Sequence, residues 1–258
     1  MKAVLLAGGL GTRMREETEF RPKPMVEVGG RPVLWHIMKI LGSQGITEFI
    51  VCTGYKSEYI KNYFSNYGPS NLDFTVKLGD MSSVIYHGSH DEFDWTVTVA
   101  DTGLDTMTGG RIERVRRYIG DEPFLCTYGD GIADIDLKAL LDFHQQHGRT
   151  ATMTTTQPSS RFGVVDLQSD GMVEKFREKP RTDDWINIGY FVLEPAIFDY
   201  LHGDATVFEE EPLRDLAQDN QIGAYRHSGF WQPMDTYRES QLLNDLWNRG
   251  DAPWRIWS

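Results

Sequence analysis

Apolar positions fall into two textures along the chain. Through the first half, short apolar runs are separated by stretches in which apolar residues recur every three or four positions. KAVLLA reads as a buried strand, and EFIVCTG, WTVTVAD and PFLCTYGD read as further strands. PVLWHIMKILGSQG predicts a helix closed by Gly45, and SEYIKNYFSNYG one ending at Gly68. GGRIERVRRYIG predicts a third, with Ile112, Val115 and Ile119 on one face. DLKALLDFHQQHG predicts a fourth, capped by Asp136 and ended by Gly148. Strand–helix alternation of this kind implies an α/β fold, with a parallel sheet covered by helices on both faces.

From Thr150 the texture changes. TATMTTT, FGVVDL, GMVEKFREK and NIGYFVL read as short strands, antiparallel or mixed, with turns between them. Helices follow at 195–201, in EEEPLRDLAQDN and in MDTYRESQLLNDLWNRG. Residues 67–95 have weak periodicity and scattered polar positions, and read as a loop or lid. With no internal repeat, low-complexity tract or linker, residues 1–258 are read as one domain with an elaborated second half.

Composition narrows the possibilities. The 258 residues are 40% hydrophobic, ample for a sizeable core. The formal charge of −12, from 38 acidic against 26 basic residues, argues against nucleic acid or an anionic membrane as partner. It leaves room for a small anion held by a local cluster of Arg and Lys. Cys52 and Cys126 sit in separate apolar runs and read as buried free thiols of a reducing compartment. No apolar stretch is long enough to cross a membrane or serve as a secretory signal, so a cytoplasmic protein is expected.

The chemistry concentrates in a few places. LAGGLGTR closes the first strand with Gly8, Gly9 and Gly11, which let backbone approach a ligand and present N–H groups to phosphate oxygens. Met14 stands where a dinucleotide fingerprint needs its last glycine, and Gly11-Thr12-Arg13 replaces the Gly-Lys-Ser/Thr of a P-loop, so neither motif fits. Arg13 supplies instead a permanent forked cation, and Lys23 follows between two prolines. The glycines alone serve equally as a surface turn; with Arg13 and Lys23 they favour a polyphosphate. In TYGDG, Asp130 ends a strand where open α/β sheets bind ligands and could hold Mg²⁺, although alone it reads as an Asp-Gly turn. Asp235 in WQPMDTY is a second candidate, or an N-cap of the final helix. Glu178-Lys179 in FREKP could split the work on a substrate, the lysine binding an anion and the glutamate accepting from hydroxyls, or form an exposed ion pair. Asn187 could bind a hydroxyl or cap its strand. DTMTGGR could present groups to a base or simply start a helix. The histidines show no metal-ligand spacing, and the tryptophans of APWRIWS read as packing the chain end.

LAGGLGTRM, RPKPMVEVGGRPVLWHI, TYGDG, EKP and NIGYF, in this order, resemble the sugar-1-phosphate nucleotidyltransferase family over essentially the whole chain. Within it, VADTGLDTMTGGRIERV, CTYGDG, FHQQHG, RFGVVDL, GFWQPMDT and APWRIW are similar to the branch that joins CTP to glucose 1-phosphate. Ile188 departs from that branch, which usually has glycine there, beside the expected sugar pocket. The resemblance implies a Rossmann-like, mostly parallel mixed sheet of the GT-A-like nucleotidyltransferase type with small β-rich additions. It also implies a nucleotide-binding half at 1–148 and a sugar-phosphate-binding half with the C-terminal helices at 149–258.

The implied nucleotide site comprises Leu6, Ala7, Gly8, Gly9, Leu10, Gly11, Thr12 and Arg13, with Lys23, Thr106, Gly110, Arg111 and Gly129. Arg13, Lys23 and Asp130 carry the catalysis, Asp130 and Asp235 hold Mg²⁺, and Glu178, Lys179 and Asn187 take the sugar phosphate. Arg13 and the loop amides would face the β- and γ-phosphates, and Lys23 the α-phosphate. The base would lie beside Thr106 and Arg111. A homo-oligomer is implied, a hexamer being one form, with residues 67–95 and the aromatic tail as candidate contacts. UTP or dTTP, another sugar phosphate, or a non-catalytic nucleotide-sugar binder remain as alternatives.

Overall fold

The structure, a computed structural model, describes residues 1–160 and 162–257; Arg161 of RFGVVDL and Ser258 of APWRIWS lie outside the described residues. Among the described residues, seven strands form the central sheet. They are β1 (Ala3–Leu6), β2 (Glu48–Thr53), β3 (Thr96–Asp101), β4 (Phe124–Tyr128), β5 (Ala151–Thr156), β6 (Ile186–Leu193) and β7 (Ile222–Arg226), in the order β7-β5-β6-β4-β1-β2-β3. The pairs β1–β2, β1–β4, β2–β3 and β5–β7 are parallel, and β6 alone runs against its neighbours.

Successive strand residues point to opposite faces, and both faces are buried, which explains the unbroken apolar runs. Ala3, Leu5, Phe49, Val51 and Leu125 join one core with helix α1 (Val33–Gly42). Val4, Leu6, Ile50, Cys52 and Cys126 join the other. Its cover includes Ile112 of α3 (Thr108–Arg114); α2 (Ser57–Ser65) lies earlier in the chain. The remaining longer helices are α4 (Leu137–His147), α5 (Glu211–Gln218) and α6 (Tyr237–Arg249). Asp136 caps α4 by accepting from the Ala139 amide, and Gly148 ends it in the left-handed region, both as expected. Both thiols are free, and burial pushes Cys52 up to about 12, so neither is a reactive thiolate. No helix of the described residues is long and apolar enough to cross a membrane.

Three expectations need correction. Residues 67–95 are not an irregular loop: they contain a helical turn, Tyr67–Asn71, and an antiparallel hairpin, Asp73–Lys77 with Asp80–His87. Strand 73–77 is exposed at four of its five positions, so no buried face imprints a period of two. The helices read through Asn66 and Val115 each break there into two pieces. The segment after Leu193 is a 3-10 helix, Pro195–Tyr200.

The chain end packs as read. Trp254 is fully buried, stacked 5.4 Å from Phe230, and its indole N–H donates to His36 Nδ1 at 3.3 Å. His36 in turn donates from Nε2 to the Val28 carbonyl at 2.8 Å, so the ring is neutral with both nitrogens satisfied. Burial, opposed by that carbonyl, lowers its pKa from 6.5 to about 4. The neutral ring favours the fold in full above pH 6.5, and that contribution is lost as pH falls toward 4, because the unfolded chain takes up the proton first. The stability of the wild type should fall by up to ~3 kcal/mol more than that of His36→Gln between pH 7 and pH 4 in urea titrations. Parallel pH profiles would show that His36 is charged in the fold.

The carboxyl ends of β1 and β4 lie side by side, with β2 and β3 beyond β1. The chain first builds outward from β1 through β2 to β3, then crosses to β4 on the other side. This is the topological switch point, where open α/β sheets leave a crevice for ligand.

Candidate active site

A cleft of about 400 Å³ opens at this point. Leu6, Ala7, Gly8, Gly9, Gly11, Thr12 and Arg13 line one side of it. The glycines have different jobs. Gly9 has open space where a Cβ would stand and leaves bare backbone at the cleft. A Cβ on Gly8 would lie 2.1 Å from the Arg111 guanidinium. Gly11 adopts φ 62°, with Thr18 and the Lys23 stem packed against it. Leu10 points outward, 52% exposed.

Opposite the loop, Lys23 is held in a 3-10 turn, Lys23–Met25, that Pro22 enters in an extended conformation. Its ammonium lies 2.6 Å from Asp130 Oδ2 and 2.5 Å from Asp235 Oδ1, and Arg13 stands 3.3 Å from Asp235 Oδ2. Burial works to lower the Lys23 pKa, but the two aspartates hold it above its ordinary value. Burial works to raise that of Asp235, and Lys23 and Arg13 hold it below. Asp235 is also spared from capping: Thr236 caps α6 in a capping box with Glu239. Two carboxylates thus converge on one point, which a cationic group already fills. Hard oxygen donors so placed suit a divalent cation that takes one or two carboxylates and completes its shell with phosphate and water. Among the described residues no group of three or more His, Cys, Asp or Glu is placed to hold a metal ion.

The far wall is formed by Thr106, Met107, Thr108 and Arg111. Arg111 is 4% exposed and its guanidinium donates to the carbonyls of Thr53, Gly103, Gly8 and Leu104 and to the Thr102 hydroxyl. It ties the loops after β1, β2 and β3 together, a role that spacing could not reveal. Gly110 packs against the Asp204 backbone and Gly129 under Pro24, so neither is among the cleft-lining residues. Pro24, Met107, Thr108 and Tyr128 do line it; they lie within RPKPM, DTMTGGR and TYGDG, although none is among the site residues expected individually. For Tyr128 a signal existed: strand alternation puts it on the same face as Cys126, turned toward α3.

The sugar-side residues lie outside this cleft. Glu178 and Lys179 follow the exposed hairpin of Val164–Leu167 and Val173–Arg177, about two-thirds exposed and 3.8 Å apart, with Lys179 at φ 44°. Asn187 accepts from the Gly189 amide at 2.8 Å, a local turn at a break in the β5–β6 register. Ile188, expected beside a sugar pocket, is 4% exposed and packed in the core.

Cations and paired carboxylates at a switch point suit a polyphosphate carried with a metal ion, which places the molecule among α/β enzymes that handle nucleotides. More narrowly, residues 2–232 match the family model described as nucleotidyl transferase, and the chain belongs to that family. It is 52% identical to a glucose-1-phosphate cytidylyltransferase of Salmonella typhi, with 100% of each chain covered. It is 46% identical to a probable glucose-1-phosphate cytidylyltransferase of Bacillus subtilis, again over 100% of both. Its fold is similar to that of the UTP-bound UGPase from Acinetobacter baumannii, with TM-score 0.70, 19% identity, and 95% and 92% of the two chains covered.

Proposed function

We propose that the chain transfers a cytidylyl group from CTP to α-D-glucose 1-phosphate, giving CDP-glucose and pyrophosphate. The observation that carries the chemistry is Lys23 drawn between Asp130 and Asp235 beside the Gly-Arg loop; full-length likeness to cytidylyltransferases supports the substrates. A phosphate oxygen of the sugar phosphate attacks the α-phosphorus in line as the bond to the β-phosphate's bridging oxygen breaks. The nucleophile is already an anion, so positioning and charge neutralisation do the work and no general base is needed. Mg²⁺, held by Asp130 and Asp235, would neutralise phosphate charge. Arg13 and the loop amides bind the β- and γ-phosphates, and Lys23 faces the α-phosphate, where charge develops. Residues 1–148 serve the nucleotide and 149–258 the sugar phosphate, in a homo-oligomer.

Pyrophosphate release with Mg²⁺ and glucose 1-phosphate, run in parallel with CTP, UTP, dTTP, GTP and ATP, tests this reading. CTP should exceed the rest; release led by another triphosphate would keep the reaction and move the base. Lys179→Ala should raise the KM for glucose 1-phosphate about tenfold, the scale of one charge-assisted hydrogen bond, with a smaller change in kcat. Unchanged saturation would remove Lys179 from the sugar-phosphate site.

A further inference from the structure

Tyr128, two residues before Asp130, reaches from the end of β4 to the start of α3. Its phenol donates to Glu209 Oε1, and the Thr108 hydroxyl donates to Glu209 Oε2 at 2.5 Å. Thr108 Oγ1 also accepts from the Phe208 amide at 2.9 Å, which fixes its orientation. Both hydroxyl protons are therefore committed to one carboxylate. An ionised carboxylate has about four lone-pair sites, of which these bonds use two. The ring is also held from below. Gly189, at φ 83°, lies so close that a Cβ there would come within 2.2 Å of it, and Asn187 secures that turn. This stretch of the cleft consequently presents the Tyr128 phenol oxygen as an acceptor, in a fixed place, to whatever lies against it.

We propose that Tyr128, held in place by Glu209 and Thr108, accepts a hydrogen bond from the ribose 2′-hydroxyl of the bound nucleotide and so selects ribonucleoside over 2′-deoxyribonucleoside triphosphates. The inference rests on the reading of the cleft as a nucleoside triphosphate site. With the phosphates at Gly11–Arg13 and Lys23, and the base beside Thr106 and Arg111, the ribose lies between them, alongside Tyr128. A site built to bond a hydroxyl rejects the analogue that lacks it, because its own polar groups are then left unpaired.

The test compares CTP with 2′-deoxyCTP at fixed glucose 1-phosphate, in the wild type, Tyr128→Phe and Glu209→Gln, with melting temperatures alongside. The wild type should favour CTP by more than about tenfold in kcat/KM, and both variants should bring the ratio within about threefold by losing activity on CTP alone. A wild type indifferent to the 2′-hydroxyl, or variants that lose both substrates equally, would overturn the proposal. Tyr128→Phe keeps the ring against Gly189 and decides the matter if Glu209→Gln does not fold. If another base is preferred, its ribo and deoxy forms are compared instead, so an error in the base leaves this test intact. If no triphosphate turns over, the reading beneath has failed, and the calorimetric affinities for CTP and 2′-deoxyCTP decide the 2′-hydroxyl contact by the same ratio.

Discussion

Asp130→Asn should lower kcat for pyrophosphate release by about two to three orders of magnitude while leaving the melting temperature near that of the wild type. The substitution keeps size and shape and removes one negative charge from the pair that converges on Lys23. Its partner Asp235 remains, still 2.5 Å from Lys23, so the ground-state turn is retained; what is lost is half of the anionic charge available to a divalent cation. Asp130 sits at the end of β4 rather than within the packed core, and its side chain is 30% exposed, so folding bears little of the change. A variant turning over within threefold of the wild type would remove Asp130 from the catalytic centre.

The parts that the sequence made legible share one property: their surroundings are set by near neighbours in the chain. β1, β2 and β4 are buried on both faces and wrote continuous apolar runs, while α4 carried its own cap and stop. β7 (IGAYR) escaped notice because it is a sheet edge with a glycine inside and no fully buried position. The hairpin of 73–87 did so because most of its first strand faces solvent. In the site, the residues carrying phosphate chemistry were visible as residue types out of place: bare glycines beside a fixed cation, and a lysine between prolines. The meeting of Asp130 with Asp235 was visible only as a possibility, because the fold alone joins a β4 end to the start of α6. Arg111 shows the limit most clearly. The family resemblance put it beside a base, yet its five acceptors come from the ends of three different strands and the loops after them, and only tertiary structure gathers them. The same gathering explains Gly8, which spacing read as room for a ligand and which the fold also needs as room for a guanidinium.

Lys23→Met should separate two jobs that one ammonium performs. In the ligand-free chain Lys23 neutralises Asp130 and Asp235, whose oxygens approach it at 2.6 and 2.5 Å. In the proposed reaction it also faces the α-phosphate during transfer. Removing it leaves two carboxylates converging with, among the described residues, only Arg13 as a paired counter-charge, 3.3 Å from Asp235. A half-buried ion pair broken on one side destabilises strongly, so the ligand-free variant should melt earlier than the wild type. A divalent cation no longer competes with the ammonium for the same oxygens, so Mn²⁺, followed by its bound and free EPR signals, should bind the variant more tightly than the wild type and raise its melting temperature further. Catalysis should move the other way, with kcat falling by about two to three orders of magnitude even at saturating metal, because charge at the α-phosphorus loses its neutralising partner. Tighter metal together with slower transfer is the signature of one cation serving both ends. Equal Mn²⁺ affinity in the two proteins would show that the divalent ion binds elsewhere than between Asp130 and Asp235, and an unchanged kcat would take Lys23 away from the reacting phosphate.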